Sequence, residues 1–270
     1  MQHKTLRIIA GIVGCLSLGC VATYNYLAIR ETEPDIRWAM KVLPVTFYML
    51  YTMIYILLYR ITVYSILTLS ILFTSMLGDI FIEIYDIPFE NFIDNPTMYF
   101  IFGGIAYFIS RILLTALFIL KPYNKISRIH HEKMRIIACH LLFVSAYIAL
   151  GITVLVIRFN AVSICVAIYL MVGFGFAQSY AFLRIGAVRN LKYEESVLSS
   201  CLGFLSICLF NISQLFIIIS TYTKILPWYI KLISCNIYWV AMYLLAISII
   251  RSKSEDVERG YFRIPVVYEF

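Results

Sequence analysis

Charge is scarce in this sequence. Lys, Arg, Asp and Glu make up 14% of the chain against 62% for the apolar residues, too little polar surface to clothe a soluble globular domain. None of the seven cysteines forms a CxxC pair, and all seven fall in apolar runs. Neither a disulfide framework nor metal-ligand spacing is indicated, and they read as small packing residues. The four histidines likewise show no ligand spacing, so the reading carries no metal and no cofactor. Among the seven prolines only Pro44 sits well inside an apolar run. The first run lacks a small-residue cleavage site and is too long for a signal-peptide core, so it reads as a retained span.

What remains is length of apolar sequence. A hydrocarbon core roughly 30 Å thick takes about 20 helical residues to cross, and the chain offers eight such runs, at about 6–28, 38–58, 61–84, 99–120, 136–157, 161–184, 197–220 and 227–250. The predicted fold is an all-α polytopic membrane bundle of eight transmembrane helices. It forms a single domain over 1–255, followed by a short cytosolic tail at 256–270. Very short connections between spans two and three and between spans five and six make each of those pairs an antiparallel hairpin.

The net charge of +7 invites a nucleic-acid reading, but its distribution argues for topology instead. With an even number of spans both termini share a side with the loops around Arg60, Lys121–Arg135 and Arg184–Lys192, and that side holds most of the Lys and Arg. The positive-inside rule then places both termini in the cytosol. The loop "YDIPFENFIDNPTM" at 85–98 is acidic without Lys or Arg, as the far side should be. The basic stretch 121–135 reads as a topology determinant, with attraction to anionic headgroups as the alternative. Trp38, Tyr99 and Trp228 are interfacial anchors by position.

Shifting spans one to four by about 130 residues lays them on spans five to eight. Four spans per half is an even number, so the halves would be parallel repeats related by an axis along the membrane normal. In that register Asp79 falls opposite Gln214. A charge at bilayer depth is expensive and normally faces a protein interior or a water-filled cavity, which singles out Asp79, Glu83 and Arg111. Glu83 shares a helical face with Asp79 and Ser75 but lies within a turn of the helix end and reads as interfacial. Asp79 and Arg111 admit two readings. One is a structural ion pair pinning spans three and four; the other is a polar cavity with Asp79 as acid or base and Arg111 as an anion contact. Lys41 either adds positive charge at the mouth of span two or snorkels.

The blocks "KVLPVTFYML" from Lys41, "LSILFTSMLGDIFI" through Asp79, "IAYFISRILLTALF" around Arg111, "VAIYLMVGFGFA" with Tyr169, "LGFLSICLFNISQLFI" through Gln214 and "KLISCNIYWVAMYLLAIS" with Tyr238 resemble, in order, those of the YhhN family of lysoplasmalogenase-like membrane proteins. The resemblance implies an eight-span protein of the endoplasmic reticulum or a related membrane that hydrolyses the vinyl ether bond of lysoplasmalogens to a fatty aldehyde and glycerophosphoethanolamine or glycerophosphocholine. It implies Asp79 and Gln214 at the catalytic positions and Lys41, Arg111, Tyr169 and Tyr238 against the substrate. The chain departs from the pattern in three places. Gln214 stands where the family has a second Asp, Arg111 where it has a His, and Tyr238, Trp239 and Met242 where it has a tyrosine pair followed by Gln. Gln214 orients water but exchanges no proton near neutral pH, and Arg111 is permanently charged. A catalytically inactive lysophospholipid-binding protein, and after it a small-solute transporter, are the alternatives. The partners on every reading are the bilayer and a small molecule, with no nucleic acid; oligomeric state is left open.

Overall fold

In lipid a backbone N–H has no water to bond, so a chain this apolar satisfies its backbone within helices. The computed structural model is all-helical over the residues it describes: 2–30, 34–58, 61, 63–86, 96–119, 130–157, 161–190, 194–223 and 229–249. The helices are α1 (Gln2–Arg30), α2 (Pro34–Leu58), α3 (Val63–Asp86), α4 (Pro96–Ile119), α5 (His130–Ile157), a composite run α6 (161–190), α7 (Glu194–Thr223) and α8 (Tyr229–Ser248). Pro34 and Pro96 open α2 and α4 at the position where a missing N–H costs nothing. The basic stretch 121–129, the acidic residues 87–95, the tail 256–270 and the side chain of Glu83 lie outside the described residues.

Seven of the helices are long and apolar enough to cross a membrane. The sixth expected span, 161–184, is not one regular α-helix. It runs as α-helix over Ala161–Ile168, as π-helix over Tyr169–Phe174 and as α-helix again over Gly175–Asn190, and the last piece carries Arg184 and Arg189. Two glycines sit at the wide turn, where neighbours crowd the place of a side chain. A Cβ on Gly175 would come within 2.9 Å of the Val144 backbone on α5, and one on Gly173 within 3.3 Å of the Arg111 stem on α4.

The bundle shows apolar side chains on its outside and buries polar ones within its apolar core. Ile8, Leu57, Leu141, Leu142 and Val156 face outward, while Thr52, Ser65, Thr68, Ser75, Ser110, Ser199, Ser206 and Ser213 are buried. Many hydroxyls bond back to the i−4 carbonyl, as Ser17 does to Val13 and Thr68 to Tyr64, and are thereby satisfied without water. Others bridge helices: Ser75 with Ser110, Ser213 with Ser234, Ser199 to the Ser248 carbonyl and Ser206 to the Ala241 carbonyl. Such contacts, with small residues at crossings, are what hold helices together when lipid is as apolar as leucine.

Packing follows the two-half register. The tightest pairs are α3 with α4 and α7 with α8, and across the halves α4 lies against α6 as α2 lies against α8. Equivalent crossings use equivalent positions. Gly78 and Gly103 meet where a Cβ on Gly103 would be 3.3 Å from the Gly78 carbonyl; the corresponding residues Ser213 and Ser234 meet through a 2.7 Å bond from the Ser234 hydroxyl to the Ser213 carbonyl. In the same register Tyr107 corresponds to Tyr238, and Pro44 in α2 corresponds to the π turn of α6.

Candidate functional site

Asp79 sits on α3 at 2% exposure, and both of its carboxylate oxygens are taken. Tyr107 on α4 donates its hydroxyl to Oδ1 at 2.5 Å, and Tyr238 on α8 donates to Oδ2 at 2.6 Å. The two phenols occupy equivalent positions of the two halves and converge on the one carboxylate. Gly78 makes this possible. The Tyr107 ring lies where a side chain at 78 would be, within 2.8 Å of a Cβ, so the "LGD" of the sequence is a slot for the ring followed by the carboxylate it reaches. Tyr238 is steadied by Phe210 on α7, ring centroids 5.5 Å apart. Its neighbour Trp239 donates Nε1 to the Lys41 carbonyl at 3.2 Å, in the turn that precedes Pro44. That bond fixes the half-buried Lys41 beside the same wall.

Arg111, one turn beyond Tyr107 on α4, is fully buried. Its partners are Asn211 and Tyr169: Nη1 donates to Asn211 Oδ1 at 2.8 Å and Nε to the Tyr169 hydroxyl at 3.2 Å. The guanidinium lies 3.7 Å from the Phe210 ring centre and 4.2 Å from that of Phe174, where the ring faces attract it. The π turn supplies both Tyr169 and Phe174. Asn211 is held in turn, its amide donating to the Tyr147 hydroxyl and to Gln178 Oε1, each at 3.0 Å, and Tyr147 donates to Gln178 at 2.6 Å. The ion-pair reading of Asp79 with Arg111 therefore gives way to two separate clusters. Phe210 joins them, with one ring contact to Tyr238 and one to Arg111.

Of the residues singled out from sequence, Asp79 and Tyr238 are bonded, and so are Arg111 and Tyr169. Gln214 is 8% exposed and lies on α7 one turn past Phe210, next to Ser213, whose bonds to Ser234 hold α7 against α8. Sequence reasoning missed Tyr107, Asn211, Gln178, Tyr147 and Phe210. A signal for Tyr107 was present, since it stands i−4 to Arg111 and in register with Tyr238, but in a chain with 21 tyrosines it does not stand out.

The model of the YhhN family matches residues 36–249, a stretch that takes in both clusters and every helix contributing to them. The chain belongs to the YhhN family. No curated protein and no solved structure matches it. As a YhhN protein it is a lysoplasmalogenase-like integral membrane protein crossing the bilayer several times. The family match begins at Ile36 and ends at Ile249, so α1 lies before the matched core and packs on it through α2 and α8.

Proposed function

We propose that the protein is a vinyl ether hydrolase of the lysoplasmalogenase type, which converts a lysoplasmalogen to a fatty aldehyde and a glycerophospho-base. The observation that carries this reading is the buried Asp79 carboxyl with a phenol aimed at each oxygen. One carboxyl so held suffices for the chemistry.

The cycle starts with Asp79 protonated. It gives the proton to the enol carbon remote from the ether oxygen, which leaves an oxocarbenium ion and a carboxylate. Tyr107 and Tyr238 donate to that carboxylate as its charge develops, so their bonds are stronger in the transition state than before it, which is what accelerates a step. Water adds to the cationic carbon and its proton returns to Asp79, giving a hemiacetal. Asp79 then protonates the ether oxygen and recovers a proton from the hemiacetal hydroxyl as the carbon–oxygen bond breaks. One water is consumed, an aldehyde and an alcohol leave, and Asp79 ends protonated. Gln214 orients the water through its amide and needs no proton of its own. Lys41 and Arg111 are the cations available to an anionic headgroup, and both termini face the cytosol, in the endoplasmic reticulum membrane.

Purified protein in vesicles should release aldehyde from a 1-alkenyl lysophosphatidylethanolamine, and Asp79→Asn should abolish the release. No aldehyde above empty vesicles would overturn the hydrolase reading. It would leave the binding-protein alternative, which the replacement of the family's second Asp by Gln214 favours.

A further inference from the structure

A guanidinium carries its charge at every accessible pH, and an uncompensated charge at bilayer depth is costly. Arg111 is wholly enclosed, yet among the described residues none of its partners is an anion. Asn211 and Tyr169 are neutral, and Phe174 and Phe210 offer only ring faces. Asn211 is itself fixed by donating to Tyr147 and Gln178. The faces of the guanidinium are covered and two of its nitrogens are used. The third, Nη2, is buried and has no hydrogen-bond partner among the described residues. A buried donor left over on a buried cation marks a place for an anionic oxygen.

We infer that Arg111 Nη2 is the receptor for the phosphate of the bound lysolipid, and that this chain selects phosphorylated over neutral ether lipids by that contact. The inference rests on the reading of the Asp79 cluster as a lysolipid site, though not on turnover. Chemistry supports a phosphate over other anions. Arg111 stands one helical turn from Tyr107 on α4, Tyr107 touches Asp79, and Phe210 touches both Tyr238 and Arg111, so one lysolipid can meet Asp79 with its ether and Arg111 with its phosphate. A fatty carboxylate at Nη2 would place plain alkyl chain at Asp79, with no bond to cleave. The element that moves to admit the phosphate is the π turn Tyr169–Phe174, which carries two of the groups around the guanidinium. Turns of this kind inside helices are commonly associated with functional sites.

The test is binding to the intact protein in nanodiscs, with ligands that cannot be hydrolysed. These are a saturated 1-O-alkyl lysophosphatidylethanolamine and the 1-O-alkylglycerol of the same chain length. The phosphorylated ligand should bind tighter by about tenfold or more, as one charge-assisted hydrogen bond supports. Two variants should erase the preference: Arg111→Met, which removes the charge, and Asn211→Asp, which is isosteric and gives Arg111 an internal anion. Should Arg111→Met fail to fold, the wild-type ratio and Asn211→Asp still decide. Equal affinity for the two ligands in the wild-type protein, or a preference that persists in Asn211→Asp, would overturn the inference. Inorganic phosphate should fail to displace the lipid at matched concentration; full displacement would mean a free-anion site and would also overturn it. Because neither ligand has a vinyl bond, failure here leaves aldehyde release untouched, and absence of aldehyde release leaves this result standing.

Discussion

Asp79 receives two phenolic hydroxyls, and a hydrogen bond to a charged group contributes about 1.5–3 kcal/mol. If those bonds strengthen as the carboxylate forms, Tyr107→Phe and Tyr238→Phe should each lower the rate of aldehyde release by about ten- to a hundredfold. Both changes keep the rings that fill the Gly78 slot and stack on Phe210, so the yield of folded protein should not change. Unchanged rates in both variants would remove the phenols from the mechanism. Gln214→Leu should slow turnover through loss of water orientation, whereas Gln214→Asp, which restores the family's residue, should not; rates of the two variants measured side by side check this. Asp79 and Arg111 were legible in the sequence because a charge in an apolar run has to be explained. Their separation into two clusters was not, because i, i+4 arithmetic places residues on faces and says nothing of which partner on another helix wins.

Elements explain where the glycines matter. An Ala is intrinsically better than Gly inside a helix by about 1 kcal/mol, so Gly→Ala gains stability wherever space is open. At Gly104 no atom lies within 4 Å of the added carbon, and Gly104→Ala should leave thermal stability and turnover unchanged or slightly improved. At Gly78 the added carbon meets the Tyr107 ring at 2.8 Å. Gly78→Ala should therefore push the phenol off Asp79 and cut aldehyde release while the protein still folds. Paired melting curves and rates check both expectations, and a Gly78→Ala enzyme of normal rate would break the link between slot and site. The sixth span shows the limit of reading elements from composition. Hydropathy over 161–184 is that of a single span, while the π turn at 169–174 arises from packing, where α6 accommodates Val144 on one side and Arg111 on the other.

At the scale of the whole molecule the two halves share a plan and have diverged in charge. Tyr107 and Tyr238 keep equivalent places, as do the Gly78–Gly103 and Ser213–Ser234 crossings. Asp79, however, faces Gln214 across the register, and Arg111 corresponds to Met242. One half thus supplies the carboxylate, and the second half buries its own cation, Arg184, at a different position. Seven helices are long and apolar enough to cross; with the interrupted α6 as an eighth crossing both ends of the chain share a side, and reporter tags at the two termini should then be protected or exposed together in sealed vesicles. Tags on opposite sides would mean that the interrupted α6 does not cross.

The sequence by itself determined that this is a helical membrane protein, how many apolar runs it has, their repeat, and which charges stand at bilayer depth. Those follow from the energetics of burying backbone and charge in hydrocarbon, which act on composition and spacing along the chain. Only the tertiary structure decided that Asp79 answers to two tyrosines, that Arg111 is caged by Phe174 and Phe210, and that α6 carries a π turn. Those outcomes depend on which side chains from distant segments meet at a helix crossing, and there a few atoms of clearance at Gly78 or Gly173 outweigh any preference written locally in the chain.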